Sequence, residues 1–280
     1  MTFTLPVRYY RNFVDQDKPN AEEYLEFEHS EFELPPEQTA LLLVDCWDNH
    51  HLTESIDRMD AVVQERIGPV LDAARQSKMS VIHCPSPGVA ETYREWTRYA
   101  DETDLGMVDD SGEDDGIDWP PRAFRDATSY WMSAHGNLDD DNEYREYAKH
   151  PEPRANPIDL SIHPRLEFSP AHDEFVVANA DQLHRLLAHQ EILHLLFVGF
   201  FTNVCVRNRD YGIEAMSQRG YNTILLRDCT TAIESHDTVD KELHKKIAIR
   251  EMETLYAWSA TSTDILDALD TPGDERADRP

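Results

Sequence analysis

Short, continuous apolar runs alternate along this chain with stretches whose apolar residues recur every three or four positions. The first run, Thr39-Ala40-Leu41-Leu42-Leu43-Val44-Asp45, lacks polar alternation, as expected of a parallel strand covered on both faces. Ile56, Met59, Val62, Val63, Ile67, Val70, Leu71 and Ala74 then fall on one helical face and predict a helix over 54–77. A strand at 79–84 ends in Pro85-Ser86-Pro87-Gly88. The rhythm resumes with a strand at 174–178, a helix over about 181–189 and a strand at 192–199. A helix from 204 to about 218 stops at Gly220, and a strand follows at 221–228. A helix over roughly 238–255, an edge strand at 258–262 and a short helix capped by Asp264 complete the pattern.

Strands alternating with helices predict an α/β fold, three-layered and doubly wound about a mostly parallel sheet. Ligands of such sheets sit at the carboxyl ends of the strands. Asp45, His83, Ala178–Asn179, Phe200–Cys205 and Asp228 all fall at those ends.

Three segments stand outside the pattern. Residues 1–37, polar and aromatic, read as an N-terminal arm that packs on the main domain (38–270) or on a second subunit, and 271–280 read as a flexible tail. Between about 89 and 170 lies a long acidic insert rich in proline and aromatics. Within it Asp109–Gly116 and Asp139-Asp140-Asp141 read as exposed loops, while Trp119–Phe124 and Tyr130-Trp131-Met132 carry enough apolar surface to dock. An insert of this length is expected to serve as a lid or an oligomer contact.

Charge narrows the possible partners. Of 280 residues, 26 are Lys or Arg against 55 Asp or Glu, for a formal net charge of −29. That balance excludes nucleic acid and anionic membranes, whose phosphates require clustered cations. No apolar run approaches the roughly 20 residues that span a bilayer. The N-terminus carries no basic region followed by an apolar one, so a cytoplasmic protein is expected. The four cysteines, Cys46, Cys84, Cys205 and Cys229, show no metal-ligand spacing and no disulfide framework.

Two residues at strand ends carry chemistry. Cys205 follows an apolar run and the turn Gly199-Phe200-Phe201-Thr202-Asn203-Val204, at a predicted helix N-terminus where free N–H groups favour a thiolate. Asp45 ends a buried strand, where an ionised carboxylate is costly unless paired or functional. A carboxylate beside a thiol takes its proton, and the sulfur then attacks a carbonyl carbon.

Together these segments resemble the isochorismatase-like cysteine hydrolases, which include nicotinamidases and N-carbamoylsarcosine amidase. Ala40–Asp45 is similar to the first-strand motif that ends in the family's catalytic aspartate, and Gly199–Val206 to its Gly-x-x-Thr-x-x-Cys-Val nucleophile motif. Ala215–Tyr221 followed by Arg227-Asp228 is similar to the elements that come next. The resemblance covers about 39–84 and 172–266. It implies Cys205 as nucleophile, Asp45 as general base, an oxyanion hole from the backbone N–H groups of Phe201 and Cys205, and a cis peptide between Phe200 and Phe201.

The family's third catalytic residue is a lysine, and the matching position is Ala178, with no lysine between Lys149 and Lys241. Asn179, His83 or a residue of the insert is left to orient substrate, with Trp47 as a platform beside Asp45. The alternative is a weak or inactive site. The segment Asp45-Cys46-Trp47-Asp48-Asn49-His50 resembles a branch with an Asp-x-Trp-Asp-x-His motif. Asp48, His50 and His51 invite a metal, but adjacent histidines in an extended segment point apart, so neither metal nor cofactor is expected. The reading is a hydrolase of the C–N bond of a small amide through a Cys205 thioester, working as a homo-oligomer. Its rivals are a non-catalytic small-molecule-binding protein of the same fold and an ether hydrolase of the isochorismatase type.

Overall fold

The computed structural model describes residues 2–93, 119–129, 138–148, 159–167 and 174–270. The loop at 109–116, the aromatic trio 130–132 and the tail 271–280 lie outside the described residues. The chain divides into two compact units, Val108–Asp159 and the remainder.

The larger unit opens with β1 (Phe3–Tyr10) and β2 (Phe27–Leu34), an antiparallel hairpin in register from Phe3↔Leu34 to Tyr10↔Phe27. In β1, Phe3, Leu5 and Val7 alternate inward, the period-2 signature of a strand with one buried face. β3 (Thr39–Val44) is buried at every position and leads into α1 (Thr53–Val62), a π-helical segment at Val63–Ile67 and α2 (Gly68–Gln76). The helix expected over 54–77 therefore widens in its middle. Pro69 lacks an N–H and its ring would crowd the carbonyl of Glu65, so the π segment accommodates it. β4 (Ser80–Cys84) and the single turn α3 (Pro87–Ala90) follow.

The smaller unit contains α4 (Arg122–Thr128) and a turn at Asp139–Asp141. Phe124 packs edge-on against Tyr144, 5.2 Å between ring centroids, and Asn142 Nδ2 donates to the Ala123 carbonyl at 2.9 Å.

The larger unit resumes before the end expected for the insert. Ile162 bridges Trp47, and the Ser161 N–H and hydroxyl donate to the Asp48 carboxylate at 3.1 and 2.7 Å. Then come β5 (Phe175–Val176), α5 (Ala180–His189) and β6 (His194–Phe200). α6 (Cys205–Asn208), α7 (Ile213–Gln218) and β7 (Asn222–Thr231) follow, then α8 (Leu243–Leu255), β8 (Trp258–Ala260) and α9 (Ser262–Asp270).

The eight strands of the described residues form one sheet of order β2-β1-β8-β7-β6-β3-β4-β5. Pairing is parallel from β8 to β5, and antiparallel where β1 meets β2 and β8. β8, expected at an edge, is therefore interior, because β1 takes up its free side. α9 packs on α2, and α8 packs on β1 and β8. The capping of α9 differs in detail from expectation: Asp264 Oδ2 accepts from the Thr261 N–H while Thr261 Oγ1 accepts from the Asp264 N–H, a reciprocal capping box. Leu41, Leu42, Leu195, Leu196, Ile224 and Leu225 are fully buried, each contributing about 1.5–3 kcal/mol of hydrophobic stabilisation. Among the described residues no helix is long and apolar enough to cross a membrane.

Candidate active site

The strand order reverses between β3 and β6. From β3 the chain winds outward through β4 and β5, then returns to lay β6 on the other side of β3. Crevices at such switch points are where doubly wound sheets hold ligands. Asp45 follows β3 and Cys205 follows β6, so adjacent strand ends bring them together across 160 residues of sequence.

Close strand approach makes this possible. Val44 pairs with Gly199, whose φ is +122°, and a Cβ built there would lie 1.9 Å from the Val44 carbonyl oxygen. Only glycine fits. Beyond it the Phe200–Phe201 peptide is cis. The turn is then anchored to the end of β7 and to Ile233 just beyond it. The Thr202 N–H and hydroxyl both donate to the Thr231 carbonyl at 2.8 Å, and Asn203 exchanges two 3.0 Å bonds with the backbone of Ile233. Val204 and Val206 N–H groups turn onto the Phe201 carbonyl. These bonds do not use the N–H groups of Phe201 or Cys205.

Asp45 is wholly buried and sits at φ +46°, a left-handed conformation that aspartate tolerates better than most residues. Both carboxylate oxygens are held. Oδ2 accepts from Arg209 Nε at 3.2 Å and Nη2 at 3.1 Å, and Oδ1 accepts from the Ser86 hydroxyl at 2.8 Å. Arg209 Nη2 also donates to Ser86 Oγ at 2.8 Å, which closes a ring of three side chains.

Arg209 reaches this position because the helix expected over 204–218 is broken. α6 is a single turn, and Arg209 leaves it with extended backbone, φ −60° and ψ 155°. Gly212 returns its N–H to the Arg209 carbonyl at 2.7 Å and lies where a Cβ would meet the Arg207 carbonyl oxygen at 2.7 Å. Tyr211, fully buried, donates its hydroxyl to the Pro85 carbonyl at 3.0 Å. The 209–211 segment thus grips both the Asp45 carboxylate and the loop after β4.

The Cys205 sulfur lies close enough to Asp45 and Arg209 for both charges to act on it. Burial, and next the Asp45 charge, push this thiol well above its ordinary range, while Arg209 pulls it down. The expectation of a resting thiolate at a helix N-terminus is therefore overturned. A single helical turn offers little dipole, and the desolvated thiol beside a carboxylate keeps its proton. Burial opposes the charge on Arg209, but its neighbours together, Asp45 foremost, outweigh it and keep the guanidinium protonated.

The remaining candidates have other contacts. His83 Nε2 lies 2.6 Å from Glu174 Oε2, and Arg75 Nε donates to Glu174 Oε1 at 2.6 Å. Asn179 caps α5, accepting from the Gln182 N–H at 3.0 Å, and the neighbouring Ala178 N–H donates to Gln182 Oε1. Asp228 accepts from the Ser262 N–H and hydroxyl at the start of α9. Trp47 is buried and edge-on to Phe201, 6.3 Å between centroids, and stacks on His50. Its Nε1–H has no acceptor among the described residues. The rings of His50 and His51 lie 4.1 Å apart, tilted against each other rather than pointing away. Among the described residues no group of three or more His, Cys, Asp or Glu is placed to hold a metal ion.

Sequence reasoning missed Arg209 and Ser86. Arg209 stands four residues after Cys205, hidden within a predicted helix, and Gly212 was the signal that the helix stops. Ser86, flanked by Pro85 and Pro87, reads as an ordinary turn residue.

A family model described as an isochorismatase domain matches residues 39–264. A cysteine hydrolase from Pseudomonas syringae pv. phaseolicola has a similar structure, with a TM-score of 0.51 at 17% identity, covering 84% of this chain and 94% of its own. An isochorismatase family protein from Desulfovibrio vulgaris subsp. vulgaris aligns with a TM-score of 0.47 at 15% identity, over 84% of this chain and 99% of its own. No curated protein matches the chain.

Proposed function

From the premise that the chain belongs to the isochorismatase family of hydrolases, we propose that it cleaves the C–N bond of a small amide through a thioester on Cys205. The observation that carries this reading is Arg209. The family resemblance calls for a cation beside the cysteine and the aspartate. Ala178 does not provide one, whereas the guanidinium of Arg209 binds Asp45 and pulls the nearby Cys205 thiol toward its charged form.

Charge stays constant through the first step. At rest the site holds a neutral thiol, the Asp45 carboxylate and the Arg209 guanidinium. Asp45 takes the thiol proton as sulfur bonds to the amide carbonyl carbon and the carbonyl π pair moves onto oxygen. The negative charge thus passes from the Asp45 carboxylate to the carbonyl oxygen, and with Arg209 nearby the net charge of the buried site does not change. The backbone N–H groups of Phe201 and Cys205 receive the oxyanion. Collapse breaks the C–N bond, and the leaving nitrogen takes the proton back from Asp45. Water then attacks the thioester with Asp45 accepting its proton, and the departing sulfur is reprotonated. Trp47 Nε1–H is assigned to an acceptor on the substrate, because a buried donor without a partner costs about 1–3 kcal/mol until it finds one.

The test is acid-quenched turnover of a panel of small amides, followed by peptide mapping. A mass increment on Cys205 that is lost in Cys205→Ala and Asp45→Asn supports the reading. Hydrolysis that persists in Cys205→Ala, or ligand binding without any turnover, overturns it.

A further inference from the structure

Ser86 occupies a helix N-cap position and does not cap. It precedes Pro87 at the start of α3, and the N–H groups of Val89 and Ala90 fold back onto its carbonyl, yet its hydroxyl makes no bond to the helix. A serine at such a position ordinarily accepts from the second or third helical N–H. Here the hydroxyl points elsewhere: it donates to Asp45 Oδ1 at 2.8 Å and accepts from Arg209 Nη2 at 2.8 Å.

The backbone that carries Ser86 is itself fixed from several sides. Pro87 restricts Ser86 to extended backbone, and the observed φ of −52° and ψ of 143° comply. The carbonyl of Pro85 accepts from the buried Tyr211 hydroxyl, and the Asp45 N–H donates to the carbonyl of Cys84 at 3.0 Å. Ser86 and Asp45 are thus tied through main chain as well as side chain. The same short segment that delivers Arg209 to Asp45 also clamps the loop that delivers Ser86.

We infer that Ser86 is a positioning residue of the catalytic unit, holding the Asp45 carboxylate in place. The inference rests on the proposed nucleophile and base. Its physical content is a division of labour between the two carboxylate oxygens. Arg209 occupies Oδ2 through two donors, and without Ser86 the carboxylate is free to rotate about that fork. With Oδ1 tied as well, the group stays oriented as the thiol proton arrives.

The test needs no knowledge of the substrate. The rate at which iodoacetamide alkylates Cys205 at neutral pH, followed by peptide mass, reports the thiol as Asp45 activates it. Ser86→Ala is expected to lower that rate about tenfold, the size expected for losing one hydrogen bond to a charged group. Ser86→Thr, which keeps the hydroxyl, restores the wild-type rate, whereas Ser86→Val, the same shape as threonine without the hydroxyl, behaves like alanine. This Thr/Val pair decides the matter if the alanine variant does not fold. Rates that coincide for wild type, Ser86→Thr and Ser86→Val overturn the role of Ser86. Alkylation of Cys205 that is absent from the wild type, or unchanged in Asp45→Asn, overturns the nucleophile-and-base reading instead, so the two failures are distinct.

Discussion

Arg209 and Asp45 form a buried, two-pronged ion pair across the switch point of the sheet, with Nε and Nη2 at 3.2 and 3.1 Å from one carboxylate oxygen. Each residue stabilises the other's charge where water is excluded. Arg209→Gln removes the cation and leaves Asp45 buried without a counter-charge, a change expected to destabilise by about 3–5 kcal/mol. Activity is expected to fall at least about a hundredfold. Arg209→Lys keeps the charge but not the fork, so its stability and rate lie between the two. Urea unfolding read alongside Cys205 alkylation checks both effects. Wild-type reactivity in Arg209→Gln contradicts the assignment of the cation.

Gly199→Ala places a methyl group within the Val44 carbonyl at a backbone angle that alanine avoids. The expected loss is about 3 kcal/mol or more, from strained backbone and overpacking together. Thermal unfolding measures it. A variant as stable as the wild type means that β3 and β6 have room to spare.

Acid stability has a separate source. Burial works to raise the Glu174 carboxyl, but the bonds to His83 and Arg75 outweigh it and hold the group below the usual carboxylate range. A carboxyl lowered in the folded state stabilises above its unfolded value, about 4.3, and loses that contribution as pH falls through the folded value. Wild type is therefore expected to exceed Glu174→Gln in urea midpoint at pH 6, with the gap closing as pH drops below about 4. A gap that does not change with pH rules out the ionised Glu174 as its cause.

The net charge of −29 acts on both stability and access. Added salt is expected to raise the melting temperature by screening self-repulsion. A cationic thiosulfonate is expected to modify Cys205 faster than an anionic one, by about tenfold or more at low salt, with the ratio falling as salt is added. Equal rates at low salt show that the field does not reach the site.

The fold was legible because β3 and β6 are written as nearly unbroken apolar runs and β7 carries a shorter one at Ile224–Leu226, as strands covered on both faces need. The β1–β2 hairpin was not. Its alternation of Phe3, Leu5 and Val7 is interrupted by Pro6, and its partner β2 alternates glutamates with mixed residues. Asp45 and Cys205 were readable as strand-end residues that fit a known pattern. Arg209 was not, because its role depends on a helix stopping after one turn, and single-turn helices leave no periodicity to read. Ser86 was hidden for a different reason: its function lies in a hydroxyl direction that no local pattern encodes.

Cys205 and Arg209 share one turn, four residues apart, while Asp45 arrives on another strand. Any displacement of that turn carries Cys205 and Arg209 together and preserves their spacing. One gap alone is then left to adjust, the distance from that turn to the end of β3. Variation in the packing around the sheet would tune the reactivity of this thiol through that single coordinate.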